Sequence, residues 1–152
     1  MRSGGDRNQP DPLCVICARG VPLDLLVEMP STWVTAAQEA PLPDYVCVVS
    51  KIHVSEPFEL RGEARRAFWD DVSTVAEAIQ RATGSPKMNY EIHGNTIPHL
   101  HLHLYPRFSG DPYEGAPIDP RAGYVFSRSD EDLARLRHAI VAGLRTAAIE
   151  SV

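Results

Sequence analysis

Apolar positions follow two periods along the chain, and each change of period marks an element. Leu23–Met29 and Thr32–Ala37 are short aliphatic and β-branched runs separated by Pro30-Ser31, which predicts two strands joined by a turn. Pro41-Leu-Pro43-Asp44 breaks the chain, and the almost wholly apolar Tyr45–Lys51 predicts a central strand. From Gly62 to Thr83 the period becomes helical: Phe68, Val72, Val75, Ala76 and Ile79 recur at three- and four-residue steps, and Gly84 and Pro86 supply the stop. An alternative reading has Trp69, beside Phe68, widening the buried stripe. Lys87–Ile92 returns to strand and His93-Gly94 to a turn. A last helix runs from about Asp130 to Ala148 on Leu133, Leu136, Ile140, Val141 and Leu144, with Ser127 or Ser129 as its N-cap. Strands, one long helix, more strands and a final helix predict an α+β fold with an antiparallel sheet of about five strands. Gly and Pro are so dense over 108–120 that this stretch should be an ordered loop or a flexible lid.

The strictest alternation lies between Pro98 and Pro106. His99, His101 and His103 alternate there with Leu100, Leu102 and Leu104. In a strand the imidazoles share one face, roughly 7 Å apart, and the leucines share the other. The leucine face requires a core, and the imidazole face requires a ligand. Two chemistries compete for it: a metal site, since neutral imidazoles bind zinc, and nucleophilic catalysis, with one imidazole attacking and its neighbours orienting it or donating protons.

At 152 residues the chain is long enough for one domain with its own core, and 43% hydrophobic with 23% charged residues is ordinary for a globular protein. Residues 1–12 hold Gly4-Gly5, Pro10 and Pro12 and are expected to be a disordered leader, leaving 13–150 as the domain. A net charge of -5 argues against nucleic acid as a general partner. No apolar run approaches the roughly 20 residues of a membrane helix. The leader has no apolar segment of the secretory kind, so the cytoplasm is the expected compartment. Three cysteines are too few, and odd in number, for a disulfide framework. Cys14-x-x-Cys17 is half of a tetrahedral zinc site by spacing; a redox pair or two buried thiols are the other readings. Completing a zinc site takes two further ligands, for which His53 and one histidine of the triad strand are available.

The run His99-Leu-His-Leu-His103-Leu-Tyr, preceded by Gly94-Asn-Thr-Ile-Pro98, resembles the signature of the histidine triad (HIT) superfamily of nucleotide hydrolases and transferases. The likeness is sharpest over Asn89–Arg107 and extends more weakly to the Cys14 region and to Tyr45–His53. It implies a HIT-like fold and a catalytic set of His99, His101 and His103, in which His101 attacks a nucleotide α-phosphorus and forms a nucleotidyl-histidine intermediate. His103 would stabilise charge on the phosphate, and Asn89, Gly94, Asn95 and Thr96 would contact substrate. Asn95 stands where relatives usually carry Gln. Ala37 stands where relatives carry an Asp or Asn that contacts ribose, so Gln38 or Glu39 does that work or ribose is held differently. The resemblance also implies a homodimer, no catalytic metal, and a structural zinc on Cys14, Cys17, His53 and His99. The substrate would be a dinucleoside polyphosphate or a nucleoside phosphoramidate, with water or phosphate as acceptor.

Two other readings stand beside it. One is a non-catalytic nucleotide-binding or zinc-stabilised interaction module. The weaker is a cupin-like metal enzyme, whose motif wants a glutamate a few residues after the second histidine, whereas the next one here is Glu114. His93 is expected to be a solvated turn residue, and His138 a surface or satisfied core residue.

Overall fold

The structure is a computed structural model that describes residues 10–151; residues 1–9 of the expected leader lie outside the described residues. The strands are β1 (Leu25–Glu28), β2 (Thr32–Thr35), β3 (Glu39–Ala40), β4 (Val46–Ser50), β5 (Lys87–Glu91), β6 (His101–Arg107) and β7 (Phe126–Ser127), and the helices are α1 (Val15–Arg19), α2 (Gly62–Thr83) and α3 (Asp130–Glu150). Five strands form one antiparallel sheet in the order β1-β2-β4-β6-β5, and β3 pairs with β7 in a separate two-stranded ribbon. This is the expected α+β architecture. The small elements α1, β3 and β7 were not legible, because two to five residues carry no resolvable period.

The leucine side of β6 is the core. Leu100, Leu102 and Leu104 are at most 1% exposed and pack with Val46, Val48 and Val34 under Phe68, Val72, Val75 and Ile79 of α2. Each such side chain contributes about 1.5–3 kcal/mol by leaving water, which is why the alternation pins the register. The α2 bounds are those the periodicity predicts, and Gly84 closes the helix in the left-handed conformation (φ +70°). Trp69 does not widen the buried stripe: it leans edge-on against Phe68 and stays 38% exposed, because the sheet lies under Phe68 and not under its neighbour. α3 is capped by Ser129, whose hydroxyl accepts from the Asp132 amide while the Asp132 carboxylate accepts from the Ser129 amide. It lies close on α2 at Gly143, where a Cβ would come within 2.6 Å of the Ala78 Cβ. Among the described residues no helix is long and apolar enough to cross a membrane.

Among the described residues, the other face of the sheet is covered at its two ends. At one end α1 brings Cys14 and Ile16 onto Val49, Trp33 and Ile97. At the other, Leu42, Tyr113 and Ile118 pack on Tyr105. His101 and His103 lie between these two patches.

Candidate functional site

Register places the imidazoles. His103 is paired with Cys47 of β4 and with Glu91 of β5, and His101 with Val49, so these side chains share the uncovered face. His99 lies just before β6 and is buried, with its ring turned toward α1. The His101 and His103 rings meet edge to face at 5.1 Å. His101 Nδ1 sits 2.7 Å from the carbonyl oxygen of His99. Since that oxygen can only accept, Nδ1 carries the proton, and Nε2 is left with a free lone pair suited to nucleophilic attack.

His103 Nδ1 lies 2.7 Å from the Tyr45 hydroxyl. Tyr45 and Tyr105 stack at 4.7 Å and both rings lie parallel to His103, so three aromatic planes stand side by side. Burial, with His101 and His93 nearby, holds His103 down at about 4, so the ring is neutral at neutral pH. Burial likewise pushes the Tyr45 hydroxyl well above its ordinary range. A neutral phenol can donate to Nδ1, and in that tautomer Nε2–H of His103 is a donor for an anion. Burial pushes the Cys47 thiol up to about 12, so it faces the imidazoles uncharged.

The remaining expected site residues fall in different places. Gly94, Asn95 and Thr96 form the turn ahead of the triad, with Asn95 and Thr96 exposed. Asn89 shares the imidazole face, but its Oδ1 accepts from Arg107 Nη1 at 2.6 Å. Gln38 is exposed and donates from Nε2 to Asp130 Oδ1 at 3.3 Å, so its side chain is tied to the start of α3. His138 is exposed on α3. His93 is exposed too, yet its ring lies 5.6 Å from that of His103 and its Nε2 lies 3.0 Å from Glu91 Oε2.

Cys14, Cys17, His53 and His99 converge, with one donor atom from each lying within 4.8 Å of the others. His99 Nδ1 is 3.4 Å from Cys14 Sγ, 3.7 Å from Cys17 Sγ and 3.2 Å from His53 Nδ1, and Cys17 Sγ is 3.3 Å from His53 Nδ1. Zinc bonded at about 2.3 Å to sulfur and 2.0–2.1 Å to nitrogen in a tetrahedron separates its ligand atoms by about 3.3–3.8 Å. The four separations of 3.2–3.7 Å lie close to that spacing. The cluster's outer partners fit as well: His99 Nε2 donates to the Ser50 carbonyl at 2.8 Å, and His53 Nε2 faces the Asp11 carboxylate at 3.8 Å. Both rings thus keep Nδ1 for a metal.

Two arginines that sequence reasoning passed over hold the frame. Arg128 is 5% exposed and its guanidinium donates to the carbonyls of Ala37, Pro43 and Tyr45, fixing the turn that delivers Tyr45. Arg107 is paired twice with Asp111 (2.8 and 2.9 Å) and donates to the carbonyls of Tyr113 and Ala116. It thereby fastens the 108–118 stretch as an ordered loop. The Arg107 guanidinium holds Asp111 down at about 2, against an ordinary 3.8. A depressed carboxylate contributes stability that is fully present above the unfolded value and is lost as pH falls through the folded one. Asp111→Asn should therefore cost about 2 kcal/mol at pH 7, a Tm lower by roughly 4–8 °C for a chain of this size. Thermal melts of both proteins should converge as pH falls from about 4 to 2, and a constant offset down to pH 2 would exclude the pair as the cause.

Comparison with known families places this geometry. The family model of the HIT domain matches residues 19–110, more than half of the chain. Among solved structures, a histidine triad protein from Marinobacter aquaeolei VT8 is 25% identical with a TM-score of 0.70, over 81% of this chain and 89% of that one. A zinc-bound histidine triad family protein from Mycobacterium smegmatis is 22% identical with a TM-score of 0.63, over 89% and 97%. A hypothetical histidine triad nucleotide-binding protein from Sulfolobus tokodaii strain 7 is 20% identical with a TM-score of 0.62, over 88% and 91%. Among curated proteins none matches this chain.

Proposed function

This chain belongs to the HIT domain family, and from that premise we propose that it is a nucleotide hydrolase or nucleotidyl transferase that works through a covalent nucleotidyl-histidine. One observation carries the reading: the His99 carbonyl accepts a hydrogen bond from Nδ1–H of His101 at 2.7 Å, which leaves the Nε2 lone pair free on the open face of the sheet. Nε2 attacks the α-phosphorus, the bond to the leaving group breaks, and water or another acceptor then displaces the nucleotide from the imidazole. Nε2–H of His103 donates to a phosphoryl oxygen as charge builds there. Gly94, Asn95 and Thr96 line the approach to that phosphate, and Asn89 helps shape it through Arg107. The substrate is a dinucleoside polyphosphate or a nucleoside phosphoramidate. Ribose is met without a carboxylate at position 37, since Ala37 has none and Gln38 is tied to Asp130.

Zinc is the metal that two thiols and two imidazoles suit, with Cys14, Cys17, His53 and His99 as its ligands. Bound there, it would be fully coordinated and would serve structure, tying α1 to the sheet and leaving no open position for a reactant. The protein would act as a homodimer joined through α2 and the edge strand β5, whose Tyr90 is 51% exposed; sedimentation as a monomer at micromolar concentration would count against this.

The test is turnover of an adenosine phosphoramidate and a diadenosine polyphosphate, each with and without chelator in the assay. Hydrolysis of either that is indifferent to brief chelation supports the reading. Tight nucleotide binding with no turnover would favour a binding module instead. Tyr45→Phe keeps the stacked ring and removes the donor to His103 Nδ1. It should lower kcat about fivefold, the worth of one hydrogen bond of roughly 1 kcal/mol, and leave the fold intact. An unchanged kcat would remove Tyr45 from the mechanism.

A further inference from the structure

The geometry points to His93, backed by Glu91, as the group that carries the proton to the leaving group and back from the attacking water. This rests on the reading of His101 as nucleophile. The displacement needs a proton donor whenever the departing atom is an alkoxide or amine nitrogen, because neither leaves readily with its charge unquenched. The triad does not supply one. His101 has its Nε2 on phosphorus and its Nδ1 on a carbonyl. The His99 ring is enclosed by Cys14, Cys17, His53 and the Ser50 carbonyl. His103 is kept neutral by burial beside His101 and His93, and its Nδ1 is engaged by the Tyr45 hydroxyl at 2.7 Å, so it offers a hydrogen bond instead of a proton.

His93 stands outside the triad motif but beside it in space. Its ring centroid is 5.6 Å from that of His103, which is itself 5.1 Å from His101. Glu91 sits across the β5–β6 ladder from His103, on the same face, with a side chain only 16% exposed. Its carboxylate accepts from His93 Nε2 at 3.0 Å, which fixes that nitrogen as the protonated one and leaves Nδ1 as the working atom.

The steps balance. As the N–P bond forms from His101 Nε2, the bond from phosphorus to the leaving oxygen or nitrogen breaks with its electron pair. That atom takes the proton from Nδ1 of the His93 imidazolium, and His93 becomes neutral. Water then attacks phosphorus and gives its proton to Nδ1, the N–P electron pair returns to His101, and His93 is ready again.

The test is leaving-group dependence. Single-turnover release is measured for an adenosine 5′-phosphoramidate of an alkylamine and for adenosine 5′-(p-nitrophenyl phosphate), whose phenolate departs without a proton. His93→Asn should slow the amidate by ~10²-fold or more and leave the nitrophenyl ester within about threefold. Glu91→Gln should show the same selectivity at smaller size. Equal losses on both substrates, or no loss on either, would overturn the assignment. If the wild type releases neither leaving group, the catalytic reading of His101 fails and this one falls with it. If His101→Asn stops both reactions while His93→Asn stops only the amidate, both stand.

Discussion

His101→Asn abolishes turnover: the expected loss in kcat is at least ~10⁴-fold, the scale seen when the attacking group of a covalent mechanism is removed. Asparagine is close in size and keeps an amide N–H for the His99 carbonyl, so the turn into β6 stays intact. What disappears is the lone pair. The accompanying observation is qualitative. Intact-mass spectrometry of the wild type quenched during turnover should show a nucleoside monophosphate adduct, and the variant should show none. Turnover within tenfold of the wild type, or an adduct that survives the substitution, would move the nucleophile elsewhere. Zinc content and Tm should be unaffected, which separates loss of chemistry from loss of fold.

The second large effect is on the metal cluster. Cys17→Ser is expected to lower bound zinc from about one per chain to less than a tenth, measured on protein purified without chelator. A ligand present at a thousand times its Kd contributes about 4 kcal/mol to the folded state, and for a chain this long that is roughly 8–16 °C in Tm. Activity should fall along with stability, because a zinc ligand and the acceptor for His101 Nδ1 belong to the same residue, His99. Prolonged dialysis against chelator should reproduce both losses in the wild type, and zinc should restore them. A wild type with no bound metal and the same Tm as the variant would return Cys14 and Cys17 to ordinary buried thiols.

What was legible in the sequence was whatever repeats or sits close along the chain. Leu100, Leu102 and Leu104 announce their face by period two, Phe68 to Ile79 theirs by three and four, and Cys14-x-x-Cys17 its spacing within one turn. The Ser129 cap is local as well. The supports of the site are neither periodic nor local. Arg128 reaches carbonyls 83 and 91 positions away, and Arg107 spends its donors on carbonyls and on Asn89, contacts that any arginine might make. His93 looked like a solvated turn residue because it is exposed in the irregular stretch after β5. Its place beside His103 depends on how β5 and β6 pair, which no short window of sequence contains. Gln38 was chosen by position relative to Ala37, and the ribbon of β3 with β7 directs its side chain to Asp130.

The Arg128 clamp has a bearing on how the chain acquires its activity. The carbonyls of Ala37, Pro43 and Tyr45 lie in the first third of the polypeptide, while the guanidinium that gathers them is supplied only after the sheet's last strand has been made. Closing so long a loop carries an entropic cost that nearby contacts do not bear, so such contacts form late. During synthesis the sheet and α2 can assemble first, with the Tyr45 turn still unanchored. Competence for catalysis would then arrive as a terminal event, when the segment leading into α3 docks, and not gradually as the core condenses.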